Sequence, residues 1–462
     1  MGMSALNHRG EQAHGIAFVD SNGQLEIRKS RGLVRDSPIF DEEIRGGPLI
    51  GHTRYPTSSR DTMENAQPIR VYVGERTVGA MAHNGNIKND EELKLELLKD
   101  GALDGALRDE LEREGVSDTR VLGALLALTL QNGNEAASVR EALKRSVGSY
   151  SMVFLVAGQD PKVIAIRDPL GYMPLQVGSN GDGFFVASES VAFGRNYLNA
   201  SFRDVKPGEM LMIDREGIKS VQLFESNQTQ HCMFQYVYMC RPESRIEGGN
   251  IYTIRENLGA EIAGHYRPRV DFVAPIMDSG FVVASGYSRA TGVPICGAVV
   301  KDRYESRRSF MQNDQNSRDM VVGKKLNVIA DLVKGKSVLL MDDSLVRGTT
   351  MRKVVKEMRE SGAKEVHLAV SCPPIVSQCG DGIDFYNDSL IARPFREMKP
   401  EELNRTIAKL VGVDTFYYQT IDDLARAIGL KREQLCLSCL TGIYAQPFKL
   451  KSEAERRESS PC

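Results

Sequence analysis

The stretch VLLMDDSLVRGTT, Val338 to Thr350, constrains the fold more than any other part of the chain. An unbroken apolar run ends in two adjacent acids, Asp342 and Asp343, and Ser344, Arg347, Gly348, Thr349 and Thr350 follow at once. Apolar residues without alternation read as a strand covered on both faces, as strands of parallel sheets are. The acids then stand at the carboxyl end of a central strand, and Ser344 to Thr350 form the turn into a helix over Met351 to Ser361. Open α/β sheets bind ligands at that edge, where a helix amino end offers unpaired N–H groups and a positive dipole end to phosphate. Glycine at 348 lets a ligand approach the backbone, and the hydroxyls of Ser344, Thr349 and Thr350 add hydrogen bonds. Two carboxylates suit a pair of ribose hydroxyls and a divalent cation, because hard cations take oxygen ligands. The turn lacks the G-x-x-x-x-G-K-[ST] pattern of a Walker A loop. Two acids alone would serve equally well as a loop and helix cap, and it is the turn residues beside them that favour a ligand.

From about Asp271 strands, loops and helices alternate through DFVAPIMDSG, GVPICGAVV, KSVLLMDD and EVHLAVS, with Gly362 where a C-cap glycine stands. This predicts an α/β domain of doubly wound type with a parallel sheet. The first half is β-rich instead. HGIAFVD, GPLIGHTRY, GSYSMVFLVA, KVIAIRD and GFFVASES are short, β-branched or aromatic, and bounded by turn residues. Between them Asp90 to Leu111 and Asp118 to Thr129 carry apolar residues at helical spacing, the second opening with SDTR at an N-cap. Sheets with helices packed on them, an α+β half, are expected. The pattern changes along PGEMLMIDREGIKSVQLFES, which divides the chain into 1–228, 229–450 and a charged tail, 451–462.

A chain of 462 residues is long for one core, and 41% apolar with 26% charged residues describes an ordinary globular protein. A net charge of -2 argues against nucleic acid as the main partner. No apolar run approaches the ~18 residues of a spanning helix, and MGMSALNHRG has neither the basic start nor the apolar core of an export signal. A cytoplasmic protein without membrane partners is expected. Eight cysteines are too few for a disulfide scaffold, and none precedes Cys232. Cys436 and Cys439 form a C-x-x-C pair, which alone fits zinc, redox chemistry or chance. On charge alone, Lys301 to Lys325 is a solvated loop.

DDSLVRGTT closely resembles the phosphoribosyl pyrophosphate (PRPP) motif of type I phosphoribosyltransferases. Taken with CMFQYVYMCRPES, IMDSG, ASGYSRATGVP, KDRY, GKKLN and CLSCLTGIY, the chain is similar to the glutamine PRPP amidotransferases, from His8 to about Pro447. Members of that family open purine biosynthesis by making 5-phosphoribosylamine and pyrophosphate. The resemblance implies that Asp278, Ser279 and Gly280 form a pyrophosphate loop, that Ser279, Asp342 and Asp343 lie near magnesium, and that Lys301, Arg303 and Lys325 face pyrophosphate. It also makes Lys301 to Lys325 a loop that closes over PRPP. KDRYESRRSF is one residue longer than the family's run, which leaves the roles of Arg307 and Arg308 open. Some members hold a 4Fe-4S cluster, whose ligands correspond here to Cys232, Cys379, Cys436 and Cys439; zinc on the same thiolates is the alternative. Cys240, Cys296 and Cys372 look like core residues by their apolar neighbours, and Cys462 belongs to the tail.

NHRGEQAHGI, GHTRYPTSS, AHNGNIKN, SDTR and RDPLGYMPL resemble the class II (Ntn-type) glutaminase domain, a sandwich of two antiparallel sheets with helices outside. By that likeness Arg54 meets the glutamine α-carboxylate, Asp118 its α-amino group, and Asn84 with Gly85 the oxyanion. Each also has a structural reading: Arg54 as a strand cap, NGN as a turn, Asp118 as an N-cap. The family's nucleophile is an amino-terminal cysteine some two dozen residues before HRG, and Met1 and Gly2 cannot replace it. Two expectations follow: a lacking amino-terminal segment, favoured by the retention of Arg54, Asn84, Gly85 and Asp118, or an inert glutaminase half fed by free ammonia. The second is favoured by departures at Pro56, Arg120 and Tyr172–Met173. A non-catalytic PRPP-binding regulator is a further alternative, although such regulators lack the closing loop and the four cysteines. Family members assemble as dimers or tetramers and respond to purine nucleotides.

Overall fold

The computed structural model describes residues 2–41, 43–44, 46–55, 63–99, 103, 105–113, 115–129, 135–179, 183–198, 201–301, 326–383 and 390–447. In the first half, β1 (Ala13–Val19) lies between β2 (Leu25–Arg31) and β3 (Leu49–Arg54) in an antiparallel sheet. A six-stranded antiparallel sheet is built from β4 (Ile69–Val73), β5 (Arg76–Ile87), β6 (Gly148–Val156), β7 (Lys162–Arg167), β11 (Glu209–Ile213) and β12 (Ile218–Gln222). A third sheet joins β8 (Gln176–Ser179), β9 (Phe184–Ala187) and β10 (Ser201–Asp204).

Strand alternation explains how the six-stranded sheet is buried on both sides. Ala80 of β5 and Leu155 of β6 point to one face, where Ala17, Val19 and Ile50 of the first sheet meet them. Met81 and Phe154, one residue along, point to the other face and pack against Leu93, Leu97, Leu122 and Leu125 of the helices. The stretch from Asp90 to Leu111 is two helices, Asp90–Lys99 and Gly105–Glu112, rather than one. Gly105 has φ +52°, in the left-handed region that an uninterrupted helix does not visit.

In the second half, β16 (Phe272–Pro275), β19 (Ser337–Asp342), β20 (Glu365–Val370) and β21 (Thr415–Tyr418) form a parallel sheet in that order. Val338 and Leu340 face the helices Thr349–Glu360 and Pro400–Val411, whereas Leu339 and Met341 face Ile251–His265 and Gly280–Thr291. The apolar run thus fills both faces of one strand. The helix Thr349–Glu360 buries Met351, Val354, Val355 and Met358, a single stripe at helical spacing. GVPICGAVV departs from expectation: it makes only an isolated bridge, Ile295 to Val273, and then β17 (Val299–Lys301), which pairs antiparallel with β18 (Leu326–Val328) outside the parallel sheet.

The halves are joined through buried polar contacts. Glu189 is wholly buried; its Oε1 lies 2.8 Å from His8 Nε2 and 2.6 Å from Arg9 Nη1. Its Oε2 accepts from the backbone N–H of Arg241 at 2.9 Å and from Ser244 Oγ at 2.7 Å. Burial alone would raise this carboxyl group's pKa, but the hydrogen bond from His8 and the charge of Arg9 outweigh it and bring it to about 2 from 4.5. Its stabilising contribution is complete above pH 4.5 and is lost as the pH falls towards 2. We expect about 3 kcal/mol of the acid-dependent loss of stability to vanish in Glu189→Gln. Urea unfolding of both proteins from pH 5 to pH 2 checks this, and parallel profiles would refute it.

Candidate functional site

Two backbone approaches set the end of the parallel sheet. The helix Gly280–Thr291 begins so close to β19 that a Cβ on Gly280 would stand 2.3 Å from Met341 O. Ser371 N and Cys372 N donate to the carbonyls of Asp342 and Asp343 at 3.2 and 2.8 Å, fixing the acidic turn to the end of β20. There Asp342 Oδ1 accepts from Ser279 Oγ at 3.2 Å and from Asp343 N at 2.8 Å, and Ser344 Oγ donates to Asp343 Oδ2 at 2.6 Å. Asp343 is 4% exposed. Desolvation pushes the Asp342 carboxyl far above the usual carboxylate range, and the charge of Asp343 beside it pushes in the same direction. Two crowded acids with this donor chemistry fit a divalent cation, which would relieve both effects. Gly348, at φ +73°, turns the chain into the helix Thr349–Glu360.

Asp278 and Lys301 are not among the residues that line the central cavity; Lys301 Nζ lies 3.0 Å from Asp278 Oδ2, with both side chains exposed. Arg303 and Lys325 lie outside the described residues, as does most of the expected closing loop.

At the other end of the molecule's central cavity, β3 delivers Arg54, which is 4% exposed and donates to Asn65 O. Asn84, Gly85 and Asn86 lie inside β5, Asn84 opposite Ser151 and Gly85 opposite Tyr150, so NGN is no turn. Gly85 has φ +152°, and a Cβ there would stand 2.1 Å from Ser149 O. Asn84 Nδ2 is buried and has no hydrogen-bond partner among the described residues. A buried donor without an acceptor is costly unless a ligand supplies one. Asp118 opens its helix, accepting from Thr119 N at 2.8 Å through Oδ1 and from Ile87 N at 3.1 Å through Oδ2, so its carboxylate serves the fold as well. Burial, and then the charge of Arg54, bring His52 down to about 3, which keeps that imidazole neutral.

These two groups line one cavity of about 700 Å³: Arg54, Asn84, Gly85 and Asp118 at one end, Ser279 and Asp342–Thr350 at the other. His52, His83, Gln235 and Tyr238 also line it. Sequence reasoning passed over these four, because a residue in a strand or turn gives no local sign of whether its side chain meets the core or a cavity.

The four cysteines come together as well. β13 (His231–Cys232) pairs in parallel with β22 (Leu435–Cys436), and Cys232 lies opposite Cys436. Val376 N and Ser377 N donate to Cys439 O at 2.9 and 3.0 Å, which brings the Cys379 loop to the same place. Burial raises the Cys436 and Cys379 thiols to about 11 and about 12, and Cys232 and Cys439 further. Four gathered thiols suit a metal centre. Among the described residues, the three side chains with ligand atoms all within 4.8 Å of one another are Glu261, His265 and Asp423, not the cysteines.

Asp343→Asn keeps the size of the side chain and removes a charge from the cation-facing pair. We expect it to weaken magnesium-dependent PRPP binding by at least about tenfold while the unfolding midpoint stays near the parent's. Titration calorimetry with thermal unfolding checks both; unchanged affinity would remove Asp343 from the site.

A phosphoribosyl transferase domain model matches residues 247–387 and a glutamine amidotransferase domain model residues 52–195. Amidophosphoribosyltransferase of Methanothermobacter thermautotrophicus is 38% identical over 454 residues, 96% of this chain and 90% of that one. That of Bacillus subtilis is 35% identical, over 96% of this chain and 90% of its own length. Among solved structures, the B. subtilis glutamine PRPP amidotransferase complexed with ADP and GMP superposes with a TM-score of 0.83 at 33% identity, over 98% of this chain and 96% of that one. An allosteric regulatory enzyme of purine biosynthesis gives 0.84 at 33% identity, over 100% and 96%. Alignments of this extent do not bear out the expected loss of an amino-terminal segment, although the first cysteine in the sequence is still Cys232. With a glutamine amidotransferase fold ahead of a phosphoribosyltransferase fold and relatives of this identity along nearly its whole length, the chain belongs to the amidophosphoribosyltransferase family.

Proposed function

We propose that the chain displaces pyrophosphate from PRPP with ammonia from glutamine to give 5-phosphoribosylamine, the first committed step of purine (IMP) biosynthesis. The observation that carries this reading is the single cavity holding both the Asp342–Thr350 turn and the Arg54, Asn84, Gly85 and Asp118 group. A shared enclosure brings ammonia to the reactive ribose carbon while keeping competing water out.

At the PRPP end, the turn Ser344–Thr350 and the amino end of its helix bind the 5-phosphate. Arg347 and the hydroxyls of Ser344, Thr349 and Thr350 add to that hold. Asp342 and Asp343 orient the ribose hydroxyls and, with Ser279, would hold magnesium. When bound, magnesium supplies positive charge to the departing pyrophosphate. Displacement at ribose C1 develops oxocarbenium character as negative charge grows on the leaving group. Lys301, with Asp278 and Gly280 beside it, faces that charge, and Arg303 and Lys325 complete the basic set.

At the other end, Arg54 and Asp118 hold the α-carboxylate and α-amino groups of glutamine, and Asn84 with Gly85 receives the oxyanion. The unpartnered Asn84 Nδ2 supports that role. Residues 1–231 of the sequence contain no cysteine.

Cys232, Cys379, Cys436 and Cys439 would hold a 4Fe-4S cluster, supported by the pairing of Cys232 with Cys436 and by the backbone bonds that tie the Cys379 loop to Cys439. Bound there, the cluster cross-links segments far apart in the chain; the transfer itself moves no electron. Purine nucleotides are proposed as inhibitors, since the B. subtilis relative was solved with ADP and GMP. A cytoplasmic homodimer or homotetramer completes the reading, and no described helix is long and apolar enough to cross a membrane.

The test is pyrophosphate release from magnesium and PRPP by the anaerobically purified chain, with ammonium and separately with glutamine. Release with ammonium is expected, and the glutamine arm reports whether the Arg54 end supplies ammonia. No release with either donor would overturn the proposal.

A further inference from the structure

The loop that carries Cys379 is bonded to the end of β5 that carries Asn84 and Gly85. Asn86 Nδ2 donates to Gly380 O at 2.9 Å, and Ser149 Oγ donates to Asp381 O at 2.9 Å. Lys88 Nζ lies 2.7 Å from Asp381 Oδ1, and both side chains are 3% exposed. Asp381 N in turn donates to Cys379 Sγ at 3.3 Å. Gly382 comes so near that a Cβ on it would stand 3.3 Å from Gly85 C. One residue, Asp381, therefore touches a cysteine sulfur with its N–H, the strand beside β5 with its carbonyl, and β5's own end with its carboxylate.

We propose that Lys88 and Asp381 are positioning residues that make the four-cysteine site and the Asn84–Gly85 end of the cavity one mechanical unit. The inference rests on the glutamine-facing role given to Asn84 and Gly85 above. A buried ion pair holds two segments in one geometry, because either charge left alone would be uncompensated. When the Cys379 loop is held by its sulfur, Asp381 fixes Lys88 and, through Asn86 and Ser149, the backbone that aims Asn84 and Gly85. When the loop is released, that end of β5 loses its support, while the helix Thr349–Glu360 packs on another face of the parallel sheet and keeps its own.

Amide hydrogen exchange on the full anaerobically purified chain tests this, before and after iron is removed with a chelator, together with Lys88→Met and the milder Asn86→Ala. Iron removal and either substitution should speed exchange across 84–88 and 379–383 about tenfold while leaving 349–360 unchanged. Glutamine affinity by calorimetry should fall by a similar factor, and ammonium-supported pyrophosphate release should stay within about twofold of the parent. Unchanged exchange at 84–88 in both variants, or a rise that includes 349–360, would overturn the coupling. Absence of ammonium-supported release from the parent would count against the PRPP reading alone, since the exchange result does not depend on it.

Discussion

Parallel hydrogen bonding of β19 between β16 and β20 decides where Asp342 and Asp343 stand, and the remainder of the cavity is arranged around those two acids. The strand is apolar on both faces because helices cover both, so its polar residues can occur only where it ends. At that end the carbonyls of Asp342 and Asp343 are taken up by the chain leaving β20, and one oxygen of each carboxylate accepts from the turn or from Ser279. The carboxylates remain available to a ligand.

Two desolvated carboxyl groups, one wholly buried and one half-buried, serve opposite ends. Glu189 is surrounded by donors from both halves of the chain, and its pKa falls despite burial. Its charge is satisfied by the fold and contributes to stability. Asp342 has another acid as its neighbour, and its pKa rises. Desolvation and the neighbouring charge push that group in the same direction, a condition that a divalent cation would relieve. Asn84 Nδ2, a buried donor without an acceptor among the described residues, is the counterpart at the far end of the cavity. Stability and function are thus divided between groups that the fold satisfies and groups that it leaves for ligands.

Much of this was legible locally. The period of the apolar residues gave the helix over 118–129 and the unbroken strand ending at Asp342, and the turn residues 344–350 marked a phosphate-type loop. Local signals failed where a long-range constraint intervened. GVPICGAVV has the composition of a sheet strand but turns away after one bridge to pair with β18. Apolar spacing across 90–111 continues through Gly101 and Gly105, although Gly105 at φ +52° opens a second helix. NGN, a common turn sequence, lies within a strand because β6 pairs with it along its whole length.

Sequence by itself determined the two fold classes, the acidic pair with its phosphate turn, and the absence of any cysteine before Cys232. Those are properties of residue type and short spacing, which set burial, turn geometry and available chemistry within a few residues. Tertiary structure decided that Cys232 lies opposite Cys436, that Asp381 reaches Lys88, and that the Arg54 and Asp342 groups share one cavity. Periodicity states which face of a strand or helix is buried but not which distant segment covers it. That choice is made only when the whole chain packs.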